Sequence, residues 1–294
     1  MASSRKRPRA DCVTDAVRRS LALLRGKTLA VALSGGVDSV VLLHALSRHR
    51  PVRAVHVHHG LSPNADRWAR FCRSLCRELA IPLTVRRVRV RRDGQGLEAA
   101  ARAARYAAFE KLPVQAITLA HQLDDQAETV LMNLLRGAGV RGASGMPVAR
   151  RMGGKLLARP LLGVPREAIV GYAREHRLSW IEDESNQVED LTRNFLRRRI
   201  APLLAERYPR WREALARAAA HFSRAELDAQ KLVRAFLAEQ GLRAPSEARL
   251  AEMVRQLVSG KNGTLIEHDG ARWRLYRGRL ATVEARAAAF NLDR

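Results

Sequence analysis

Along the first half of the chain, short apolar runs alternate with longer segments whose apolar residues recur every three or four positions. TLAVAL, from Thr28 to Leu33, is a continuous apolar run of the length of a buried strand. A polar turn, SGGVDS, follows it, and a helical pattern then runs from about Asp38 to Ser47. RAVHVHH alternates as a second strand, and ADRWARFCRSLCRELA has the period of a helix. PLTVRRVRV reads as a third strand, LEAAARAARYAAFEKL as an Ala-rich helix, AITLAH as a fourth strand and LDDQAETVLMNLLRG as a further helix. Strand and helix in strict alternation mean a parallel sheet covered on both faces. The predicted fold class is therefore α/β, with a doubly wound, mostly parallel sheet. Ligands of such sheets bind at the carboxyl ends of the strands. The polar clusters SGGVDS, HHG and AHQLDD all fall there.

The pattern then changes. From Gly137 to Arg159 the chain is Gly-rich and reads as irregular, and PREAIVGYAREHRLSWIEDESN reads as a helix followed by an acidic turn. From about Glu206 the periodicity is helical, over WREALARAAAHFSRAELDAQKLVRAFLAEQ as one long or two short helices and over SEARLAEMVRQLVSG. A hairpin is expected around Asp269-Gly270. Three regions result: a basic, flexible tail over 1–25, a catalytic domain over 26–205, and a smaller, mostly helical C-terminal domain over 206–294.

Charge alters this picture more than composition does. Hydrophobic residues make up 47% of the 294, enough for a packed core, and no run approaches a membrane span. The basic start lacks the apolar run of a signal peptide, so a soluble, cytoplasmic protein is expected. Against 29 Asp and Glu stand 53 Lys and Arg, a net charge of +24. Such an excess, most of it before residue 206, points to a polyphosphate partner, a nucleic acid above all. The three cysteines suit a reducing compartment. Cys72 and Cys76, four apart on one helix, read as small buried hydrophobes and have no second pair with which to hold zinc.

Ser34-Gly35-Gly36 ends a strand and opens a helix, a place where backbone N–H groups and the helix dipole favour an anion. It is a phosphate cradle without the GK[ST] of a Walker loop or the GxGxxG of a dinucleotide fold. SGGVDS, residues Ser34, Gly35, Gly36, Val37, Asp38 and Ser39, resembles the PP-loop of the N-type ATP pyrophosphatases. The resemblance implies that ATP is cleaved between its α and β phosphates. The loop would grip pyrophosphate, Ser34 and Ser39 would supply hydroxyls, and Asp38 would support the loop or help to hold Mg²⁺.

Further motifs narrow the resemblance. HVHHGLSPNADRW, EAAARAARYAAF, AHQLDDQAETVLMNLLRGAGVRGASGM, RPLLGVPREAI and WIEDESNQVEDLTRNFLRRRIAPLL are similar, in order, to segments of the tRNA(Ile)-lysidine synthetases. Together they cover Leu29 to Leu204. That family adenylates the wobble cytidine of the CAU anticodon in a minor isoleucine tRNA. Lysine then displaces AMP, forming lysidine, and decoding shifts from methionine to isoleucine. The partners so implied are tRNA(Ile), L-lysine, ATP and Mg²⁺, with no membrane; the resemblance also allows a homodimer.

Candidate site residues follow from these motifs. Asp124, Asp125 and Glu128 open one helix, with Asp124 and Glu128 four apart on one face. They could bind the lysine amines or position a metal, although a helix N-terminus favours acidic residues in any case. His121 ends the preceding strand and could meet the ATP phosphates or the base. Arg105 and Arg136 could neutralise phosphate, or be ordinary solvated charge. The chain departs from the family pattern at Gln122, where a second histidine is frequent, and at His58, where Asn is usual. The run His56, His58 and His59 could in principle hold a metal, but shaping of the site edge is the stronger reading. Arg193, Asn194 and Arg197 would wall the site or form a salt-bridged helix entry. Three other readings compete. A tRNA thiolation enzyme would need catalytic cysteines, and a GMP or asparagine synthetase would need an amide-hydrolysing domain. A nucleic-acid-binding module with a vestigial loop would have no use for Asp38, His121, Asp124 and Asp125.

Overall fold

The computed structural model describes residues 11–90, 96–182, 192–259, 264–276 and 279–283. The chain opens with α1 (Asp11–Leu24), whose Val13, Ala16, Val17, Ser20 and Leu24 are buried at helical spacing. This corrects the expected loose tail over 1–25, of which only residues 1–10 lie outside the described part. Its basic Arg18 and Arg19 point outward, and that exposed face is what reads as a tail.

β1 (Leu29–Ala32), α2 (Val37–Ser47), β2 (Arg53–His58), α3 (Ala65–Glu78), β3 (Leu83–Arg87), α4 (Leu97–Glu110), β4 (Ala116–Thr118) and α5 (Leu123–Leu135) follow in the expected alternation. The sheet is ordered β3-β2-β1-β4-β6-β5, with all pairs parallel except the last. α6 (Val140–Ala143), β5 (Ala149–Met152) and β6 (Lys155–Ala158) occupy the stretch expected to be irregular. Gly153 (φ 50°) and Gly154 (φ 78°) close the β5–β6 hairpin, a turn that needs two residues with positive φ. β6 then lies parallel beside β4, with Ala116 opposite Leu156.

Strand side chains alternate between two cores, as a sheet covered on both faces requires. Leu29, Val31 and Leu33 face α1, α2, α3 and α7 (Arg166–Glu175), while Ala30, Val55, Ile117 and Leu157 face Phe109 of α4 and Leu112 beyond it. α2 is apolar nearly all round because it lies inside the first core; Val40, Val41, Leu42, Leu43 and Leu46 are fully buried. α8 (Thr192–Phe195), a π-helical turn (Leu196–Ile200) and α9 (Ala201–Arg207) come next. Ala201 and the N-terminal Trp211 of α10 (Trp211–Glu239) pack with Ala127 of α5.

The chain divides into two compact units, one of residues 1–132 and 145–216, the other of 133–144 and 217–294. The division falls after the boundary expected near Glu206, which lies inside α9, and it assigns an internal segment to the second unit. In that unit Val233, Phe236 and Leu237 of α10 and Leu250, Met253 and Val254 of α11 (Glu247–Ser259) share a core with Ile266 and Trp273. Those last two belong to a three-stranded antiparallel sheet of β7 (Leu265–His268), β8 (Ala271–Tyr276) and β9 (Arg279–Thr282). The expected hairpin turns at Asp269 (φ 51°) and Gly270 (φ 79°). α10 is one helix, and no described helix is long and apolar enough to cross a membrane.

Candidate active site

Strand order reverses between β1 and β4, and both halves of the site follow those two strands. After β1, Gly36 is the extended N-cap residue of α2, and no side chain caps that helix. The buried Ser39 hydroxyl accepts the N–H groups of Ser34 and Gly35, each at 3.2 Å, and donates to the Gly36 carbonyl at 2.9 Å. The Gly36 N–H donates to Ser34 Oγ at 3.3 Å. The three loop N–H groups are thus engaged by the Ser34 and Ser39 hydroxyls, which fix the turn that opens α2. Gly35 is at φ +99°, and a Cβ there would lie 2.8 Å from Ile181 Cδ1. The Ile181 N–H donates to the Gly35 carbonyl at 2.9 Å and fixes the loop from the other side. A Cβ on Gly36 would meet nothing closer than Ser34 Oγ at 3.6 Å, so the protein alone does not demand glycine there.

Asp38 lies in the first turn of α2. Its Oδ2 is 3.6 Å from Arg166 Nη1, and its buried Oδ1 has no hydrogen-bond partner among the described residues. Burial raises its pKa to about 6; Arg166 opposes the rise, and the charges of Asp125 and Asp124 add to it. After β4, Gln122 caps α5. Its Oε1 accepts the Asp124 N–H at 2.6 Å, and its own N–H donates to Asp125 Oδ2 at 3.1 Å. That is a reciprocal capping box, which gives the Gln122 departure a physical use.

The three acidic residues of α5 have separate partners. Glu128 is buried and accepts from Arg193 Nε at 2.8 Å and from Arg197 Nε at 2.8 Å and Nη2 at 3.0 Å. Asp125 Oδ1 takes Arg193 Nη2 at 3.1 Å. Asp124 Oδ2 faces Arg212 Nε at 3.1 Å, yet burial still raises its pKa. Glu128 and Asp125 thus anchor the segment from 192 to 200, while Asp38 and Asp124 are the carboxylates with raised proton affinity. Of the two readings of Arg193 and Arg197, the geometry matches the salt-bridged helix entry.

His121 is largely buried, and its Nδ1 accepts from Arg159 Nε at 3.3 Å. Burial, then the charges of Arg159, Arg102, Arg193 and Arg105, lowers its pKa to about 3, so the ring is neutral. Arg105 is exposed on α4, and its charge also reaches His59, which burial lowers to about 4. Arg136 follows α5, is exposed, and belongs to the second unit. Two of the three histidines are engaged, His56 Nδ1 with the Leu33 carbonyl at 2.9 Å and His58 Nε2 with Asp66 at 3.1 Å, while the buried His59 Nδ1 has no hydrogen-bond partner among the described residues. Among the described residues no group of three or more His, Cys, Asp or Glu could hold a metal. Cys72 and Cys76 are buried, and burial raises their thiols to about 12 and about 11. Arg159, Arg166, Ile181 and Arg212 carried no role in the sequence reading. Each acts across a long sequence separation that periodicity does not report.

The PP-loop domain family matches residues 12–204, and the TilS substrate binding domain family matches 228–281. The tRNA(Ile)-lysidine synthase of Nitrosomonas europaea is 48% identical over 252 residues, 80% of this chain and 55% of that protein. The enzyme of the same name from Escherichia coli O157:H7 is 42% identical over 265 residues, 84% of this chain and 62% of that protein. The chain thus spans somewhat over half the length of these relatives. Among solved structures, a U34-tRNA thiolase of Methanococcus maripaludis shares the fold, with a TM-score of 0.60 at 18% identity over 71% of this chain and 77% of that one. With two thirds of its length matched by one family, the chain belongs to the PP-loop domain family, and the curated relatives it resembles share the name tRNA(Ile)-lysidine synthase.

Proposed function

We propose that the protein ligates L-lysine to the wobble cytidine of the CAU anticodon of a minor isoleucine tRNA, at the expense of ATP. The reaction has two steps. The cytosine O2 attacks the α phosphorus of ATP, the bond to the bridging oxygen breaks, and pyrophosphate leaves. The lysine ε-amine then attacks carbon 2, the bond from carbon 2 to the adenylated oxygen breaks, AMP leaves with that oxygen, and the amine nitrogen gives up one proton. The modified base changes codon and amino-acid specificity from methionine to isoleucine. The observation that carries this reading is the facing of the Ser34–Ser39 loop and the acidic end of α5 across the switch point, where Asp38 feels the charges of Asp124 and Asp125.

Each part has a role in that chemistry. The N-terminus of α2, which no side chain caps and which opens from the turn fixed by the Ser34 and Ser39 hydroxyls, suits the leaving pyrophosphate. Val37 closes the loop onto the core. Neutral His121 is the candidate contact to the ATP phosphates or the base, and Arg105 the candidate to neutralise phosphate charge. Asp124, whose proton affinity burial has raised, is the proton acceptor for the attacking amine. Arg136 remains a candidate phosphate contact. Mg²⁺ fits as an ion carried on the triphosphate, where it would neutralise charge; the unpartnered Asp38 Oδ1 is the hard oxygen that would hold it. The same reading makes the protein cytoplasmic, independent of membranes and compatible with a homodimer.

Pyrophosphate release from ATP and Mg²⁺, with the isoleucine tRNA transcript and with or without lysine, tests it. Release that requires the tRNA, with labelled lysine entering it, is the expected result. Release without lysine incorporation would transfer the adenylating chemistry to another nucleophile, and no release would leave a binding module.

A further inference from the structure

On the α4 side of the sheet three guanidiniums crowd one phenol. Arg102 lies 5.1 Å and Arg150, on β5, 5.3 Å from the centre of the Tyr106 ring. Arg102 Nη2 also donates to Tyr106 Oη at 3.2 Å. Buried Arg159 completes the group, its Nη1 on the Pro147 carbonyl at 2.7 Å and its Nε on His121. None of the three arginines has a carboxylate within ion-pair distance among the described residues. The cost is visible on both sides. Burial lowers the proton affinity of Arg159, and the charges of Arg150 and Arg102 lower it further. Burial would raise that of Tyr106, yet Arg102, Arg150 and Arg159 take it below its usual value.

Guanidiniums gathered beside one phenol form a site for an anion from outside the chain. Arg102 and Arg150 are exposed, so one can reach them. The nucleotide loop opens α2, which packs on the other face of the sheet from α4, so the ATP affinity of variants tells the two anions apart. A net charge of +24 selects a polyanion. We propose that Arg102, Arg150 and Tyr106 bind a backbone phosphate of RNA beside the candidate active site, with Arg159 linking that contact to His121. The inference rests on the reading above only in taking RNA as the polyanion.

The test is RNA binding by the whole chain against salt, for Arg102→Gln, Arg150→Gln and the double variant. Two probes are used, the isoleucine tRNA transcript and an unrelated tRNA, with ATP affinity measured in parallel. Each single variant should weaken both RNAs about three- to tenfold and flatten the slope of log K against log salt by about 0.7–0.9. ATP affinity and melting temperature should not change, and Arg102→Lys should restore part of the loss, since it returns the charge without the planar fork. Unchanged RNA affinity and slope would overturn the proposal, as would ATP affinity falling in step. An unaltered chain that binds both tRNAs alike but releases no pyrophosphate would overturn the lysidine reading and leave the phosphate site standing.

Discussion

Asp38 and Gly35 show how much of the site is decided by single residues. A carboxyl raised to about 6 is costly to ionise in the fold at any pH above that value. Below its unfolded value near 3.8 it is protonated in both states and costs nothing. Stability therefore falls as pH rises between these limits. Asp38→Asn should stabilise the protein by about 1–2 kcal/mol at pH 8, abolish lysine incorporation, and lose its thermal advantage when the melt is repeated near pH 4. Equal melting temperatures at pH 8 would mean that the carboxyl is not under strain. Gly35→Ala meets both a positive φ and Ile181, and should cost about 1–3 kcal/mol in denaturant unfolding together with nucleotide binding. Gly36→Ala, free of both constraints, should leave stability alone and reduce only nucleotide binding. At this scale the loop and the α5 carboxylates were legible because they are local in sequence. Gln122 was legible only as a departure, since its capping function appears when its own N–H and side chain are both placed.

Among the elements, the least secure on local grounds is the run from α8 through the π-helical turn to α9. Its Phe195 and Leu203 are exposed. What holds it to α5 is the pairing of Arg193 and Arg197 with Glu128, whose side chain is 4% exposed. Removing one partner of a buried pair leaves the other charge desolvated. Glu128→Ala should therefore cost about 2–3 kcal/mol, less than a fully buried pair because the arginines are partly solvated. Hydrogen exchange should rise first over residues 192–200, and uniform exchange across the sheet would instead make Glu128 a general core residue. The alternating strands and helices from Leu29 to Leu135 were legible because each is long or apolar enough to show its period. α1, β5 and β6 were not. The basic residues of α1 lie on its outer face, and ARRM and KLLA are four-residue strands whose pairing partners are set by the sheet.

At the scale of the whole molecule, the expectation of two folding regions and the observed division into two units differ in connectivity. The chain leaves the first unit after Met132, returns at Gly145, and leaves again after Ala216. A boundary drawn from composition can mark only one such passage, because the excursion of 133–144 is short and its glycines resemble those of any surface loop. A single proteolytic nick between 137 and 145 should therefore leave both units joined through α10, with the fragments separating only in denaturant. Release of a native fragment after that one cut would contradict the division. Three crossings also bear on how such a chain can be inherited. A module attached by one linker can be gained or lost through a single fusion or truncation. Here the second unit holds a segment embedded within the sequence of the first, so losing the C-terminal part would strand 133–144 without its companions. Gain or loss of the second unit therefore takes more than one cut in the sequence.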